Sequence, residues 1–233
     1  MLMKRKNAVD ISSYLIVGPE NTKGRPVAAI VQMAVEQGFT CVQIRSKAAS
    51  ARELISLCGE AAEAIAAAGK SDLVTLLVND RLDVALAARS QGIKVDGIHV
   101  GQKDIPPDIC RKYLGEDAIV GLSARTNELL DFVRRFDTRD IDYLGAGPLH
   151  PTASKPDAGV AADGSRHMRT VTELTELHRI SPVPVVVVGG VKADDLPALK
   201  RTGVEGFFVI SAVAGADNPA AAARELIDLW KSS

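Results

Sequence analysis

Cysteine is scarce: Cys41, Cys58 and Cys110 are odd in number, widely spaced and outside any Cys-x-x-Cys pair. That pattern argues against a disulfide framework and a zinc site, and it fits a reducing compartment. Charge of one sign is also missing. Lys and Arg number 28 against 29 Asp and Glu, a formal net charge of -1. A general nucleic-acid or anionic-membrane partner is therefore not expected, and any phosphate chemistry must use a local basic cluster. No apolar run approaches the roughly 20 residues of a membrane-spanning helix. The N-terminal MLMKRKNAVD is basic, but no apolar segment follows it, so no secretory leader is expected and a cytoplasmic protein is. There is no HExxH metal motif, and no Ser/His/Asp set with a recognisable elbow.

What is present is regular. Hydrophobic residues make up 46% and charged residues 24%, as in ordinary globular proteins, and 233 residues are enough for a substantial core. Apolar β-branched runs alternate with Ala/Leu/Glu-rich segments. The runs predict strands at 14–17, 40–45, 73–78, 95–100, 118–122, 141–145, 183–188 and 206–210. Helical patterns lie between them, for example at 50–68 and 220–230. Continuous apolar strands are expected where both faces of a parallel sheet are buried. Eight strand-helix units without a composition break predict an α/β protein, a single-domain (β/α)₈ TIM barrel over 13–233 behind an N-terminal extension of 1–12. A doubly wound open sheet is the alternative. It is disfavoured because no dinucleotide fingerprint follows the first strand.

The stretch 76–105, LLVNDRLDVALAARSQGIKVDGIHVGQKDI, reads as strand, helix, strand. A right-handed crossover makes the two strands parallel, so Asp80 and Asp104 emerge on one rim. Two carboxylates there suit a hard cation such as Mg²⁺, which keeps waters and takes phosphate oxygens. The plainer alternative is a helix cap and a loop residue. Barrel active sites lie at the C-terminal ends of the strands. Those ends carry Gln43 to Lys47, Asn79-Asp80, His99 to Asp104, Ser123, Gly145 to Pro148 followed by Pro151 to Lys155, Gly189-Gly190 and Ile210-Ser211. Polar and glycine residues thus interrupt apolar runs at the same architectural position seven times, a set that chance capping explains poorly.

Gln43, Arg45 and Lys47 alternate and so share one face of an extended strand. An Arg fork and a Lys point charge suit phosphate oxygens. Lys155, beside Thr152 and Ser154, suits a second anion or a Schiff base with a carbonyl substrate. Gly189-Gly190 and Ile210-Ser211 end adjacent strands, where barrels often bind phosphate through backbone N–H groups. His99 is a general-acid candidate or a packed rim residue, His150 lies in the loop before Pro151, and His167 and His178 read as surface helix residues. The segment 156–166, PDAGVAADGSR, lacks periodicity; it is a surface loop or a lid over the barrel mouth.

These motifs resemble thiamine-phosphate synthases from near Tyr14 to the C-terminus. The matching residues are Q-I-R-S-K (43–47), V-N-D (78–80), H-V-G-Q-K-D (99–104), the serine of G-L-S (121–123), D-Y-L-G-A-G-P (142–148), P-T-A-S-K-P (151–156), G-G-V (189–191) and I-S-A (210–212). The resemblance implies a (β/α)₈ transferase of thiamine biosynthesis. It would join a hydroxymethylpyrimidine diphosphate to a thiazole phosphate and release pyrophosphate with Mg²⁺. Gln43, Ile44, Arg45, Ser46, Lys47, Asn79, Ser123 and Lys155 would hold the pyrimidine diphosphate, with Arg45, Lys47, Ser123 and Lys155 catalytic. Asp80 and Asp104 would bind Mg²⁺. Thr152, Ala153, Ser154, Gly189 or Gly190, Ile210 and Ser211 would hold the thiazole phosphate. The chain departs from the family pattern at Ser154, usually Thr, at His150, commonly Phe, and in a longer loop after Lys155.

The residue types fit a dissociative reaction. Pyrophosphate leaves, a pyrimidine methylene cation forms, and no protein nucleophile is needed. The rivals are a thiazole tautomerase, a sugar-phosphate aldolase or isomerase using Lys155 or His99, and a non-catalytic phosphate-binding regulator. The expected partners are small-molecule substrates, with no nucleic acid and no membrane; a homo-oligomer is compatible with the sequence.

Overall fold

Among the described residues, eight strands alternate with eight α-helices. The structure, a computed structural model, describes residues 9–124, 128–152, 160 and 167–233. Ala153, Ser154, Lys155, all of the expected lid except Val160, and 1–8 of the expected extension lie outside the described residues. The strands are β1 (Ser13–Val17), β2 (Cys41–Ile44), β3 (Thr75–Asn79), β4 (Gly97–Val100), β5 (Ile119–Ser123), β6 (Tyr143–Ala146), β7 (Val185–Val187) and β8 (Gly206–Val209). Each pairs in parallel with the next. β8 returns to β1, with Ser13 opposite Phe207 and Leu15 opposite Val209, closing the barrel. Closure removes the open-sheet alternative.

Each helix turns an apolar face to the sheet. α1 (Val27–Gln37) buries Val27, Ile30, Val31, Ala34 and Val35, and ends at Gly38, whose φ of 110° favours glycine. In α2 (Ala51–Ala67) the Ser50 hydroxyl accepts the Glu53 N–H at 3.3 Å, and the Glu53 carboxylate accepts the Ser50 N–H at 2.7 Å. α3 (Leu82–Ser90), α4 (Pro107–Leu114), α5 (Leu129–Arg135), α6 (Val171–Ile180) and α7 (Leu196–Arg201) follow in order. α8 (Pro219–Ser232) starts at Asn218, whose side chain accepts the Ala221 N–H at 3.1 Å. Thus α2, α6 and α8 also start at a side-chain cap. Among the described residues, no helix is long and apolar enough to cross a membrane.

Two apolar clusters result. The larger one fills the layer between sheet and helices. The smaller fills the barrel, with Tyr14, Ile16, Cys41, Leu77, Ile119, Tyr143, Val186 and Phe208. Alternation along the strands sends one set of side chains each way. Gly121 leaves room for the Tyr143 ring, since a Cβ there would stand 2.1 Å from it.

The N-terminal ends of the strands share a device. The residue just before each even-numbered strand accepts a backbone N–H at the start of the odd strand beside it. Thr40 takes Ser13 N at 3.3 Å, Asp96 takes Leu76 N at 2.7 Å, Asp142 takes Val120 N at 2.7 Å and Glu205 takes Val185 N at 2.6 Å. Asp142 also pairs with the buried Arg111 at 2.7 Å. This end of the barrel is built for stability and leaves the other to chemistry.

Candidate active site

The C-terminal mouth of the barrel opens into a cavity of about 430 Å³. Its wall includes Gln43, Arg45, Asn79, Ser123, Thr152, Gly189, Gly190, Ile210 and Ser211. Nine residues singled out from sequence thus meet in one place, brought there from β2, β3, β5 and the loops after β6, β7 and β8. Ile44 differs: its side chain is fully buried in the layer under the helices, so only its backbone faces the barrel strands. Gln43 is fully buried, and its Oε1 has no hydrogen-bond partner among the described residues. A buried acceptor without a donor is costly, and in a cavity wall it suits a ligand N–H.

Lys47, Asp80 and Asp104 stand outside the cavity wall at its rim. Lys47 Nζ is 2.6 Å from Asp80 Oδ2. Asp80 sits at φ 60°, a left-handed conformation that Asp tolerates better than most residues. Burial pushes its carboxyl up, but the Lys47 hydrogen bond and charge, with Asp104 and Asn79, hold it below the ordinary value. Asp104 is raised, by burial first and then by the Asp80 charge, although its Oδ2 accepts the Gly101 N–H at 2.9 Å. Two neighbouring carboxylates with opposite shifts form a pair short of positive charge. Among the described residues, no group of three or more His, Cys, Asp or Glu gathers for a metal, so any ion here would rest on these two and on ligand oxygens.

The loop after β2 is held by a residue that sequence reasoning missed. Glu20, in a 3₁₀ turn over Pro19–Asn21, accepts from the Ser46 hydroxyl and from the Lys47 and Ala48 N–H groups at 3.0 and 3.3 Å. Ser46 therefore braces its own loop. Arg25 was missed too. It donates to the carbonyls of Ala216 at 2.6 Å and Ala214 at 3.3 Å, fixing the turn after Ile210-Ser211. Lys192 adds a cation to the cavity wall, and Phe208 an aromatic face. None of these carries a local motif; only the closed barrel brings them to the mouth.

Gly189 and Gly190 have φ of 89° and 72°. A Cβ on Gly189 would stand 2.6 Å from Pro148, and one on Gly190 would stand 2.7 Å from the His150 carbonyl. The glycines are thus required by the loop after β6 as well as by any phosphate. His150 Nε2 reaches Asp195 at 2.9 Å, tying the loops after β6 and β7 together. His99 is 5% exposed and bonded to Tyr143 and Ser123, both at 2.9 Å, so it is a packed residue that also touches the cavity. His178 lies in α6 against Glu205, whereas His167 precedes that helix rather than lying in it.

A family model described as thiamine monophosphate synthase matches residues 13–213. The chain is 40% identical over 218 residues to a thiamine-phosphate synthase of Corynebacterium efficiens, covering 94% of each chain. It is 36% identical over 225 residues to one from Desulfitobacterium hafniense, covering 97% of this chain and 100% of the other. Among solved structures it is similar to a thiamine phosphate pyrophosphorylase from Pyrococcus furiosus, with a TM-score of 0.76, 27% identity and coverage of 96% and 97%.

Proposed function

The chain belongs to the thiamine monophosphate synthase family, and from that premise we propose the reaction that its barrel mouth performs. It is a transferase of thiamine biosynthesis. It joins 4-amino-2-methyl-5-hydroxymethylpyrimidine diphosphate to hydroxyethylthiazole phosphate, giving thiamine monophosphate and pyrophosphate. The observation that carries this reading is the division of one cavity wall. Gln43, Arg45, Asn79 and Ser123 occupy one side of the barrel order, and Thr152, Gly189, Gly190, Ile210 and Ser211 the other.

In this reading Gln43, Arg45, Ser46, Lys47, Asn79, Ser123 and Lys155, with the Ile44 backbone, hold the pyrimidine diphosphate. Thr152, Ala153, Ser154, a glycine of Gly189-Gly190, Ile210 and Ser211 hold the thiazole phosphate. Mg²⁺ fits Asp80 and Asp104, two hard oxygen donors side by side, with diphosphate oxygens as further ligands. Bound there, it would neutralise charge on the departing pyrophosphate.

The chain's own cations do the rest. Arg45, Lys47 and Lys155 draw electron density toward the diphosphate, the bond from methylene carbon to oxygen breaks, and its electron pair leaves with pyrophosphate. The thiazole nitrogen then donates its lone pair to the methylene cation, and the new carbon–nitrogen bond completes the product. The loops after β6 to β8 hold that nitrogen close to the carbon. The buried, free thiols of Cys41, Cys58 and Cys110 support a cytoplasmic site of action.

Incubation with both precursors and Mg²⁺ tests the reading. Thiamine monophosphate and pyrophosphate should form in equal amounts, and only when both precursors are present. No product, together with borohydride trapping of Lys155 on a carbonyl substrate, would replace the synthase with an aldolase.

A further inference from the structure

Beneath the cavity runs a chain of hydrogen bonds that the reaction above does not use. Gln43 Nε2 donates to Tyr14 Oη at 2.7 Å, and the Tyr14 and Tyr143 oxygens are 2.9 Å apart. Tyr143 Oη is 2.9 Å from His99 Nδ1, and His99 Nε2 is 2.9 Å from Ser123 Oγ. Tyr14, Gln43 and Tyr143 are fully buried. Both ends of the chain, Gln43 and Ser123, line the cavity; the two tyrosines do not.

Counting protons gives the chain a direction. An amide nitrogen only donates, so Tyr14 accepts from Gln43. Tyr14 has one proton to give, and the Tyr143 oxygen is its strong acceptor; the Cys41 thiol beside it is a weak one. Tyr143 then turns its own proton to His99 Nδ1. His99 consequently carries its proton on Nε2 and donates it to Ser123. The reverse order would leave the Tyr14 proton, in a dry interior, with only the weak Cys41 sulfur as acceptor among the described residues. Burial, and then neighbouring groups, push both phenols well above the ordinary tyrosine range, so both keep their protons.

We propose that Tyr14 and Tyr143 are positioning residues that set the polarity of the pyrimidine subsite. At one end the Gln43 amide is pinned through Nε2, which leaves Oε1 as an acceptor without a partner among the described residues. At the other end His99 fills a lone pair of Ser123 and leaves its hydroxyl as a donor. The cavity therefore presents an acceptor and a donor in fixed places. An aminopyrimidine offers the matching pair, an exocyclic N–H and a ring-nitrogen lone pair. Its 4-hydroxy counterpart, as the oxo tautomer, offers the opposite pair. This polarity rests on the pyrimidine reaction proposed above.

Two measurements test it without using turnover. Nitrogen-15 NMR of histidine-labelled protein, with His99 assigned by its loss in His99→Asn, reads the tautomer. Wild type should carry the proton on Nε2 alone, and Tyr143→Phe, which keeps the ring packing, should mix the two tautomers. Calorimetric titration with the 4-amino and the 4-hydroxy pyrimidine diphosphates then reads the polarity. Wild type should prefer the amino compound, and Tyr14→Phe and Tyr143→Phe should each reduce that preference by about tenfold, the scale of one hydrogen bond. A wild-type His99 protonated on Nδ1 would overturn the proposal even if neither variant folded. So would variants that weaken both ligands equally. A wild type that discriminates as expected but does not couple the precursors would sink the reaction and keep the polarity.

Discussion

Asp80 and Asp104 are the same side chain in two electrostatic settings, and each setting has a consequence. Burial raises Asp80, but Lys47 outweighs it and holds the group low; burial and the Asp80 charge raise Asp104. A depressed carboxyl contributes stability above its unfolded pKa and loses it as pH falls through the folded one. A raised carboxyl does the reverse. Its contribution is full below the unfolded pKa and is lost as pH rises through the folded one, so ionised Asp104 opposes folding at neutral pH. Asp104→Asn should therefore raise the Tm slightly at pH 7 while lowering turnover by about a hundredfold or more. Mg²⁺ should raise the Tm of wild type and not that of the variant. A lower Tm in the variant, with its Mg²⁺ response intact, would contradict the metal pair. Such residues were legible in the sequence because polar groups interrupt apolar strands where a barrel places its mouth. Tyr14 and Tyr143 were not, since a tyrosine in an apolar run reads as core and its hydroxyl partners lie in distant strands.

At the scale of elements, the loop after β2 is docked rather than free. Glu20 collects the Ser46 hydroxyl and two backbone N–H groups, which places Lys47 beside Asp80. Burial raises the Glu20 carboxyl, but these hydrogen bonds outweigh it and hold the group below its ordinary value. Glu20→Ala should leave the barrel folded and release this loop. We expect a roughly tenfold higher KM for the pyrimidine diphosphate, little change in kcat and an unchanged KM for thiazole phosphate. Equal effects on both substrates would mean that the loop serves something other than the diphosphate. The glycine pair after β7 supports a narrower inference than its sequence suggests. A side chain at Gly190 would first meet His150, so its loss would report loop packing as much as phosphate binding. The strands themselves were legible to within two residues at each end, because continuous β-branched runs can be buried on both faces. The carboxylates and the threonine that cap strand starts were not, since their partners are set by the register between strands.

At the scale of the whole molecule, closure organises everything else. Eight parallel strands bring residues 43 and 211, far apart in the chain, into one wall, and the opposite end is sealed by a ring of side chain to backbone hydrogen bonds. The barrel was legible because eight strand-helix units ran on without a break in composition. The chemistry follows from what that mouth holds: cations and a carboxylate pair. The central claim is that this site ionises the pyrimidine diphosphate before the thiazole nitrogen attacks. The most direct measurement is the single-turnover rate with a strongly electron-withdrawing group in place of the pyrimidine methyl. Such a group destabilises the developing cation, so the rate should fall by several orders of magnitude, each factor of ten being about 1.4 kcal/mol of barrier. Ground-state binding should change little, because the diphosphate contacts are untouched. A rate close to that of the natural substrate would contradict the account and assign the reaction to direct displacement.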